Sequence, residues 1–286
     1  MMIQIYTDTA ANVPTAVLKQ YGVRVIPLSY TVDGETFSGV EEFDGPAFYG
    51  AMRHNADVKT SMAAPDAVRE CFEQALTEGK DVLYMGLSGG VSGTYWSAHL
   101  AAEELEEKYP ERRVCAIDSK AASLGVGLCV LEAAKLATEG LSFDDLVTRM
   151  EVICHNMCQY FVVDELKYLR RGGRISGMAA LTGALLQIKP ILKGDDDGRI
   201  VLHTKVRGKL RALETLCDIY REKVTDPTRM VGIAHGDCPG DALRLEAKLR
   251  EAGQTGEILN VCYEPVTGAH VGPGTVALFF WGDGQR

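Results

Sequence analysis

The chain has 286 residues, of which 46% are hydrophobic and 24% are charged, and its formal net charge at pH 7 is −9. These proportions are ordinary for a globular protein and argue against a disordered chain. The net negative charge argues against nucleic acid and anionic membrane surfaces as partners, because both would repel it. The chain is longer than a common single domain, so two domains are expected.

The first eight residues, MMIQIYTD, contain no basic residue and reach Asp8 before a long apolar run develops. They therefore do not resemble a secretory signal. No stretch of about 18 apolar residues predicts a membrane-spanning helix. The eight cysteines are scattered through apolar segments, which is typical of buried reduced thiols rather than of a disulfide scaffold. We expect a cytoplasmic protein without stable membrane insertion.

Residues 1–157 show the alternation of strands and helices that builds a parallel sheet. Strand-like runs occur at 3–7, 23–28, 82–87 and 114–117. Helical patterns separate them: Pro14 and Pro65 are placed to begin helices, and Ser142 with Asp145 resembles a capping box before 143–155. The predicted fold class of this half is α/β with a mainly parallel sheet.

Two hydroxyl-rich segments in this half are candidate binding sites. Lys59-Thr60-Ser61-Met62 precedes the Pro65 helix, where hydroxyls either cap the helix or contact a ligand, and capping is the more common use. The segment 86–94 connects an apolar strand to a helix that begins near Ser92. Its glycines let backbone N–H groups approach a ligand, and the N-terminal end of a helix favours an anion.

The second of these segments has several interpretations. Gly86-Leu-Ser88-Gly-Gly90 fits G-x-S-x-G, the strand-to-helix elbow of α/β-hydrolases, in which Ser88 would be the nucleophile. Ser92-Gly93-Thr94 instead matches an N-cap with further donors, which would hold an oxyanion without attacking it. A plain glycine-rich turn with a capping serine explains the same residues. These residues alone do not decide among the three.

Residues 158–286 combine helices with an antiparallel pair. A strand is predicted at 160–163 and an apolar helix around 178–186, and runs at 188–193 and 200–206 flank Gly-Asp-Asp-Asp-Gly198, a hairpin signal. The remainder alternates helices at 208–223 and 240–252 with strands at 230–235, 257–262 and 276–281. This half is therefore expected to form an α/β domain with a mixed sheet. We place the domain boundary between residues 157 and 158.

His270 is the most promising histidine of the chain. It lies in the Gly/Pro-rich segment 265–274, which we interpret as a surface loop before the last strand. Such loops carry binding groups, although a histidine with structural hydrogen bonds fits equally well. Ser88, Asp237 and His270 also follow the chain order of an α/β-hydrolase triad, so a serine hydrolase is the alternative function. No oxyanion motif such as His-Gly-Gly-Gly accompanies the elbow.

Basic residues are concentrated in one part of this acidic chain. A solvated surface explains them, and a docking surface for an acidic partner or a phosphate is the alternative. The residues concerned are Arg170, Arg171, Arg174, Lys205 and Arg207, followed by Lys209 and Arg211. For metals, Cys154-His155-Asn-Met-Cys158 is the densest group of soft ligands, but no second pair completes a four-ligand site. No metal site is predicted.

Several short motifs together resemble the DegV family of bacterial fatty-acid-binding proteins. They occur in the family's order across nearly the whole chain, and the ordered set is far more specific than any one of them. The motifs are IYTDTAANVP at 5–14, KTS at 59–61, SGGVSGTY at 88–95, IDSKAAS at 117–123, YLRRGGRIS at 168–176, LQIKPIL at 186–192, KVRG at 205–208 and GAHVGPG at 268–274. The chain has Gly89-Gly90 where the family often has Ser-Gly, and Met62-Ala-Ala-Pro65 replaces a more polar stretch.

The resemblance implies two α/β domains with an acyl chain in an apolar tunnel and its carboxylate near the domain junction. Thr60, Ser92 and His270 occupy the motif positions that would bind this carboxylate. Ser61, Gly93 and Thr94 would be close neighbours. Hydroxyls, helix-end amides and an imidazole suit a carboxylate, since they give charge-assisted hydrogen bonds. They also suit a phosphate or sugar phosphate, which is a third hypothesis.

The resemblance also implies a partner. In family members that work with a fatty acid kinase, a separate ATP-bound subunit phosphorylates the presented carboxylate to an acyl phosphate. This chain has no match to G-x-x-x-x-G-K-[ST]. We therefore expect a lipid carrier that is not itself an enzyme and has no cofactor, with a long-chain fatty acid as its ligand.

Overall fold

The computed structural model describes residues 2–38, 43–175 and 187–284, and the helix expected around 178–186 lies outside them. The strands are β1 (Ile3–Asp8), β2 (Arg24–Ile26), β3 (Ser29–Val32), β4 (Glu35–Ser38), β5 (Val58–Ser61), β6 (Asp81–Gly86), β7 (Val114–Asp118), β8 (Met157–Val162), β9 (Ile188–Gly194), β10 (Ile200–Arg207), β11 (Val231–His235), β12 (Ile258–Cys262) and β13 (Val276–Trp281). The helices are α1 (Thr15–Gln20), α2 (Gly45–Arg53), α3 (Pro65–Thr77), α4 (Thr94–Lys108), α5 (Leu124–Thr138), α6 (Phe143–His155), α7 (Lys167–Arg171), α8 (Lys209–Lys223), α9 (Pro239–Glu251) and α10 (Pro265–Val271).

The first sheet has the order β2-β1-β6-β7, and all its strands are parallel, which confirms the α/β prediction for this half. Tyr6 and Tyr84 face the core that contains α3 and α4. Leu83 and Met85 alternate with Tyr84 along β6 and face the opposite core, which contains α5. The strand order reverses between β1 and β6. In open α/β sheets, ligands bind beyond the carboxyl ends of the strands at such a point.

The second sheet has the order β10-β9-β8-β13-β11-β12. Of the pairs of adjacent strands in this sheet, β11 and β12 are parallel, and all the others are antiparallel. The mixed sheet is therefore confirmed. The predicted hairpin is confirmed as well, since β9 pairs with β10 around the turn 195–199.

Helix α5 lies in the core between the two sheets. Along β13, Ala277, Phe279 and Trp281 face this core, whereas Leu278 and Phe280 face the core that contains α8 and α9. The central core takes side chains from both halves of the chain. The strands of the first sheet precede the proposed boundary, and those of the second follow it except for Met157, the first residue of β8, which lies just before it. The division into 1–157 and 158–286 stays a prediction.

A third sheet, of order β4-β3-β5, has no counterpart in the sequence prediction. Its antiparallel strands are four residues long, and apart from the buried Val58 their residues are half-buried or exposed, so they lack the apolar runs that reveal the other strands. Of the two uses considered for the hydroxyls of 59–61, helix capping is not observed. Thr60 and Ser61 lie on β5, and Ala64, the N-cap of α3, has no side-chain capping bond. Thr60 is therefore available for another contact.

Other boundaries also differ from expectation. His270 lies on the short helix α10 and not in a loop. The N-cap of α4 is Gly93 and not Ser92, although the Ser92 hydroxyl still accepts a bond from the Thr94 N–H. The capping of α6 by Ser142 is confirmed. None of the eight cysteines forms a disulfide, and four of them are half-buried rather than buried. Within the described ranges, no helix combines the length and apolar character needed to span a bilayer.

Candidate functional site

A cavity lies where the segments that follow β6 and β7 face α10. Its walls include Leu87 and Ala121 from those segments, and Phe161 and Phe279 from the second sheet. Its polar side chains are those of Thr60, Ser61, Ser92, Gln159, Arg174, Thr267 and His270. Much of the remaining wall is apolar, with Leu28, Val91, Leu169, Ile200, Val266 and Val271. The cavity thus combines a few polar groups with a largely apolar wall, which is typical of a site for a small ligand.

Thr60 and His270 form the central polar pair of this cavity. The Oγ1 atom of Thr60 lies 2.9 Å from the Nε2 atom of His270, within hydrogen-bonding distance. Strand β5 supplies the threonine and α10 the histidine, and β5 is held in register by its pairing with β3. Two residues that the resemblance assigns to one carboxylate are therefore in direct contact.

The imidazole of His270 is neutral at neutral pH. Burial lowers its pKa to about 4, and the positive charges of Arg174 and Arg171 act in the same direction. Its other nitrogen, Nδ1, faces Gly172, because a Cβ atom built on Gly172 would lie 2.1 Å from it. Glycine at 172 therefore gives the ring the space it occupies.

Ser92 lines the same cavity and belongs to a small hydroxyl network. Its hydroxyl donates to the Thr94 Oγ1 atom over 3.1 Å and accepts from the Thr94 N–H over 3.2 Å. Thr94 also accepts from the Ala63 N–H, and this bond joins the segment after β5 to the start of α4. Thr94 is fully buried, and it lies behind Ser92 as a supporting residue, whereas Ser61 lines the cavity directly.

The residues expected to form a basic docking surface divide into two groups. Arg174 lines the cavity, and its Nε atom donates to the Val91 carbonyl over 3.1 Å. It therefore ties the segment after α7 to the Ser/Gly turn that carries Ser92. The other four residues, Arg170, Arg171, Lys205 and Arg207, are exposed. The sequence indicated the basic character of Arg174 but did not place it beside His270.

Glu264 is a site-supporting residue that the sequence prediction missed. Its carboxylate accepts the N–H groups of Val266 and Thr267 and so caps α10, the helix that carries His270. Burial raises the pKa of Glu264 to about 7. The available signal was Glu264 followed by Pro265, since proline favours the first position of a helix. That pair predicts a helix where the glycines suggested a loop.

A second and larger cleft, of about 1220 Å³, lies between α2, the β3–β4 hairpin and the segment after β12. Asp8 and Glu264 contribute buried carboxyl groups to it, and its described lining contains no lysine or arginine. An anionic ligand would be repelled there. Of the two cavities, the one that contains Arg174 and His270 therefore suits a carboxylate.

Ser88, the candidate nucleophile, is 1% exposed. Its hydroxyl donates to the Gly198 carbonyl over 3.0 Å and accepts from the Gly90 N–H over 3.0 Å. The first bond fastens the β9–β10 turn to the Ser/Gly turn, and the second lies within the Ser/Gly turn. Asp237 is paired with Arg53. Among the described hydrogen bonds, none joins Ser88, Asp237 and His270 into a triad.

In the portion of the chain that the structure describes, no group of three or more histidine, cysteine, aspartate or glutamate side chains is placed to hold a metal ion. The Cys154–Cys158 segment spans the end of α6 and the start of β8, where helical spacing no longer applies. The polar side chains that line the cavity carry hydroxyls, one imidazole, one guanidinium and the amide of Gln159, all of which can donate hydrogen bonds to an anion.

Comparison with known families agrees with the motif order. A sequence model described as "Uncharacterised protein, DegV family" matches residues 2–283. A DegV domain-containing protein from Clostridium perfringens is 36% identical over 282 residues, which cover 98% of this chain and 97% of that protein. The similarity therefore extends over both halves of the chain.

Solved structures show the same fold. A DegV family protein from Thermus thermophilus, whose structure is described as showing fatty acid binding, has a TM-score of 0.90 and 31% identity, and the match covers 99% of this chain and 100% of that one. The DegV protein from Bacillus subtilis, described as a fatty acid binding protein, has a TM-score of 0.87 and 28% identity, again over 99% and 100%. Both similarities span the described cavity.

Proposed function

This chain belongs to the DegV family, and we propose that it binds a long-chain fatty acid in the cavity that contains Thr60, Ser92 and His270. The observation that carries the proposal is the Thr60–His270 pair at 2.9 Å, placed in an otherwise largely apolar cavity. Fatty acid binding by the relatives from Thermus thermophilus and Bacillus subtilis supports it.

The protonation state of His270 explains how the pair would hold a carboxylate. A neutral imidazole carries one N–H group. When that hydrogen is on Nε2, it donates to the Thr60 oxygen, and the hydrogen of Thr60 is free to donate to the ligand. When it is on Nδ1, the Thr60 hydroxyl must donate to Nε2 and has no hydrogen left for an anion. A carboxylate therefore selects the Nε2–H tautomer, and His270 acts through Thr60.

Ser92, Ser61 and Arg174 complete the proposed head-group site. Ser61 would donate a charge-assisted hydrogen bond, and Ser92 would do the same once its hydroxyl hydrogen turns from Thr94 to the ligand. The guanidinium of Arg174 would offset the negative charge of the carboxylate. The acyl chain would lie along the apolar walls, where each CH₂ group removed from water contributes about 0.8 kcal/mol. Tail burial would therefore dominate affinity, and the head group would fix orientation.

The protein would act as a carrier. Its carboxylate end would be presented to a separate ATP-dependent fatty acid kinase subunit, which would form the acyl phosphate, and the exposed basic residues Arg170, Arg171, Lys205 and Arg207 would contact that partner. A serine hydrolase that uses Ser88 remains the second candidate, on the single observation that 86–90 matches G-x-S-x-G. The cytoplasmic location stays a prediction.

Organic extraction of the purified protein followed by mass spectrometry tests the main proposal. We expect release of a long-chain fatty acid in near-stoichiometric amount, and uptake of added fatty acid by protein from which the lipid has been removed. Absence of extractable lipid together with no binding of added fatty acid would overturn the proposal. Release of a phosphorylated sugar instead would support the third hypothesis.

A further inference from the structure

An apolar patch is exposed on α4 beside the cavity. Trp96 and Leu100 are 54% and 58% exposed, and they lie on the same helix face because they are four residues apart. Met62 is 51% exposed and also lines the cavity, so it forms part of the cavity rim. We call Met62, Trp96 and Leu100 the α4 patch.

The α4 patch is in contact with the turn that carries the proposed head-group site. A Cβ atom built on Gly93 would lie 2.6 Å from the Met62 sulfur, so Met62 packs over the start of α4. A Cβ atom built on Gly89 would lie 3.2 Å from the Trp96 Nε1 atom, so the indole lies over the Ser/Gly turn. The Tyr95 ring supports Trp96, with their ring centroids 4.9 Å apart.

Charge on the same helix face indicates what kind of surface the patch fits. Glu103 and Glu107 follow Trp96 by seven and eleven residues and so continue the stripe toward the C-terminal end of α4. Both are exposed. An anionic membrane surface would be repelled by these carboxylates and by the net charge of −9. A protein that presents an apolar contact flanked by basic side chains would be attracted, and tryptophan and methionine are enriched in protein interfaces.

We infer that the α4 patch is a docking surface for the kinase subunit, in addition to the exposed basic residues named above, an inference that rests on the proposed function. In the transfer, a carboxylate oxygen forms a bond to the terminal phosphorus of ATP while the bond from that phosphorus to the leaving ADP oxygen breaks. The nucleotide must therefore come within bonding distance of the carboxylate. Met62 belongs both to the patch and to the cavity wall. A partner seated on the patch is adjacent to the end of the cavity where the reaction occurs.

Trp96→Ala and Leu100→Ser test the inference, with Leu243→Ser as the matched control. Leu243 is 61% exposed, and it lies on α9, which packs on the far face of the second sheet. Each variant is loaded with oleate and assayed for acyl phosphate formation with purified ATP-dependent fatty acid kinase subunit and ATP. Oleate affinity and melting temperature are measured in parallel. We expect both patch variants to lower kcat/KM by at least about tenfold with oleate affinity unchanged, and the control to match wild type.

Three results would overturn the inference. Patch variants that are phosphorylated like wild type would place docking elsewhere. If the patch variants lose self-association in sedimentation, the patch contacts a second copy of the chain. If they lose oleate transfer to phosphatidylglycerol vesicles in the absence of the kinase, the patch contacts a membrane. If wild-type protein binds oleate but gives no acyl phosphate with the kinase subunit, the proposed kinase partner and the docking role of the patch are both rejected. Fatty acid binding itself would stand. Failure to bind oleate would instead overturn the proposed function itself.

Discussion

The Nε2 atom of His270 lies 2.9 Å from the Oγ1 atom of Thr60, although 210 positions separate the two residues in the chain. The pair joins β5, in the small antiparallel sheet, to α10, which precedes the last strand of the second sheet. Burial keeps the imidazole neutral. The pair therefore works as a hydrogen-bonded unit in which the imidazole orients a hydroxyl, without a full positive charge on the ring.

Thr60→Val tests this unit directly, because valine keeps the shape of threonine and removes its hydroxyl. We expect oleate to bind about ten- to hundredfold more weakly, since a hydrogen bond to a charged group is worth about 1.5–3 kcal/mol. Titration calorimetry with lipid-depleted protein measures the change. Thr31→Val is the matched control, because Thr31 is half-buried on the neighbouring strand β3 and does not line the cavity. If the Thr60 variant and wild type bind oleate with equal affinity, Thr60 does not contact the carboxylate.

His270 should make the protein less stable in mild acid. Its pKa is about 4 in the folded protein, below the ordinary value of 6.5. Between these values the unfolded chain binds more protons than the folded one, so stability falls as pH drops from 6.5 toward 4, by up to about 3 kcal/mol. Glu264 acts in the opposite direction, because its pKa is raised to about 7. Urea unfolding of wild type and His270→Gln across pH 4–7 isolates the contribution of the histidine to the free energy of unfolding. If this free energy changes with pH in the same way in both proteins, the depressed pKa of His270 is contradicted.

Bound fatty acid should raise the pKa of His270. A carboxylate near the ring favours the protonated imidazole, in contrast to the arginines that disfavour it. NMR titration of histidine-labelled protein, with the resonance assigned from the spectrum of His270→Gln, measures the pKa with and without oleate. An unchanged His270 pKa in the oleate complex would place the carboxylate elsewhere.

Gly172→Ala should weaken fatty acid binding without altering any residue proposed to touch the ligand. The new Cβ atom would lie 2.1 Å from the His270 Nδ1 atom, so the ring must move and its bond to Thr60 lengthens or breaks. Gly50→Ala on α2 is the control, since a Cβ atom there has no neighbour within 4 Å and alanine favours helix by about 1 kcal/mol. Calorimetry should show weaker oleate binding only for Gly172→Ala. Wild-type affinity in that variant would mean that the ring position is not critical.

Ser88→Ala should lower stability and leave the protein equally unreactive toward a fluorophosphonate serine probe. The substitution removes the donor to the Gly198 carbonyl and the acceptor for the Gly90 N–H, at a cost of about 1–3 kcal/mol for the buried groups left unpaired. Chemical denaturation measures the loss, with exposed Ser38→Ala as control. Probe labelling of wild type that disappears in Ser88→Ala would revive the hydrolase hypothesis.

The regular elements of the two large sheets could be predicted because their side chains alternate between two cores. In β13, consecutive residues face opposite cores, and the resulting apolar run at 276–281 was identified with its observed limits. The helix at 143–155 was also predicted with its limits, since Ser142 and Asp145 mark its start. The strands of the third sheet were missed because they bury too little apolar surface to leave a pattern.

For the candidate site, the sequence by itself determined which residue types were available. The hydroxyls at 60, 61 and 92, the histidine at 270 and the basic segment 170–174 all follow from motifs, because glycine-flanked hydroxyls and an imidazole are chemically suited to an anion wherever they lie. Only the tertiary structure decided that Thr60 pairs with His270, that Arg174 lines the cavity, and that Ser88 is held in a structural bond. Contacts between residues far apart in the chain depend on how strands and helices pack. Local patterns of side chains do not record that packing.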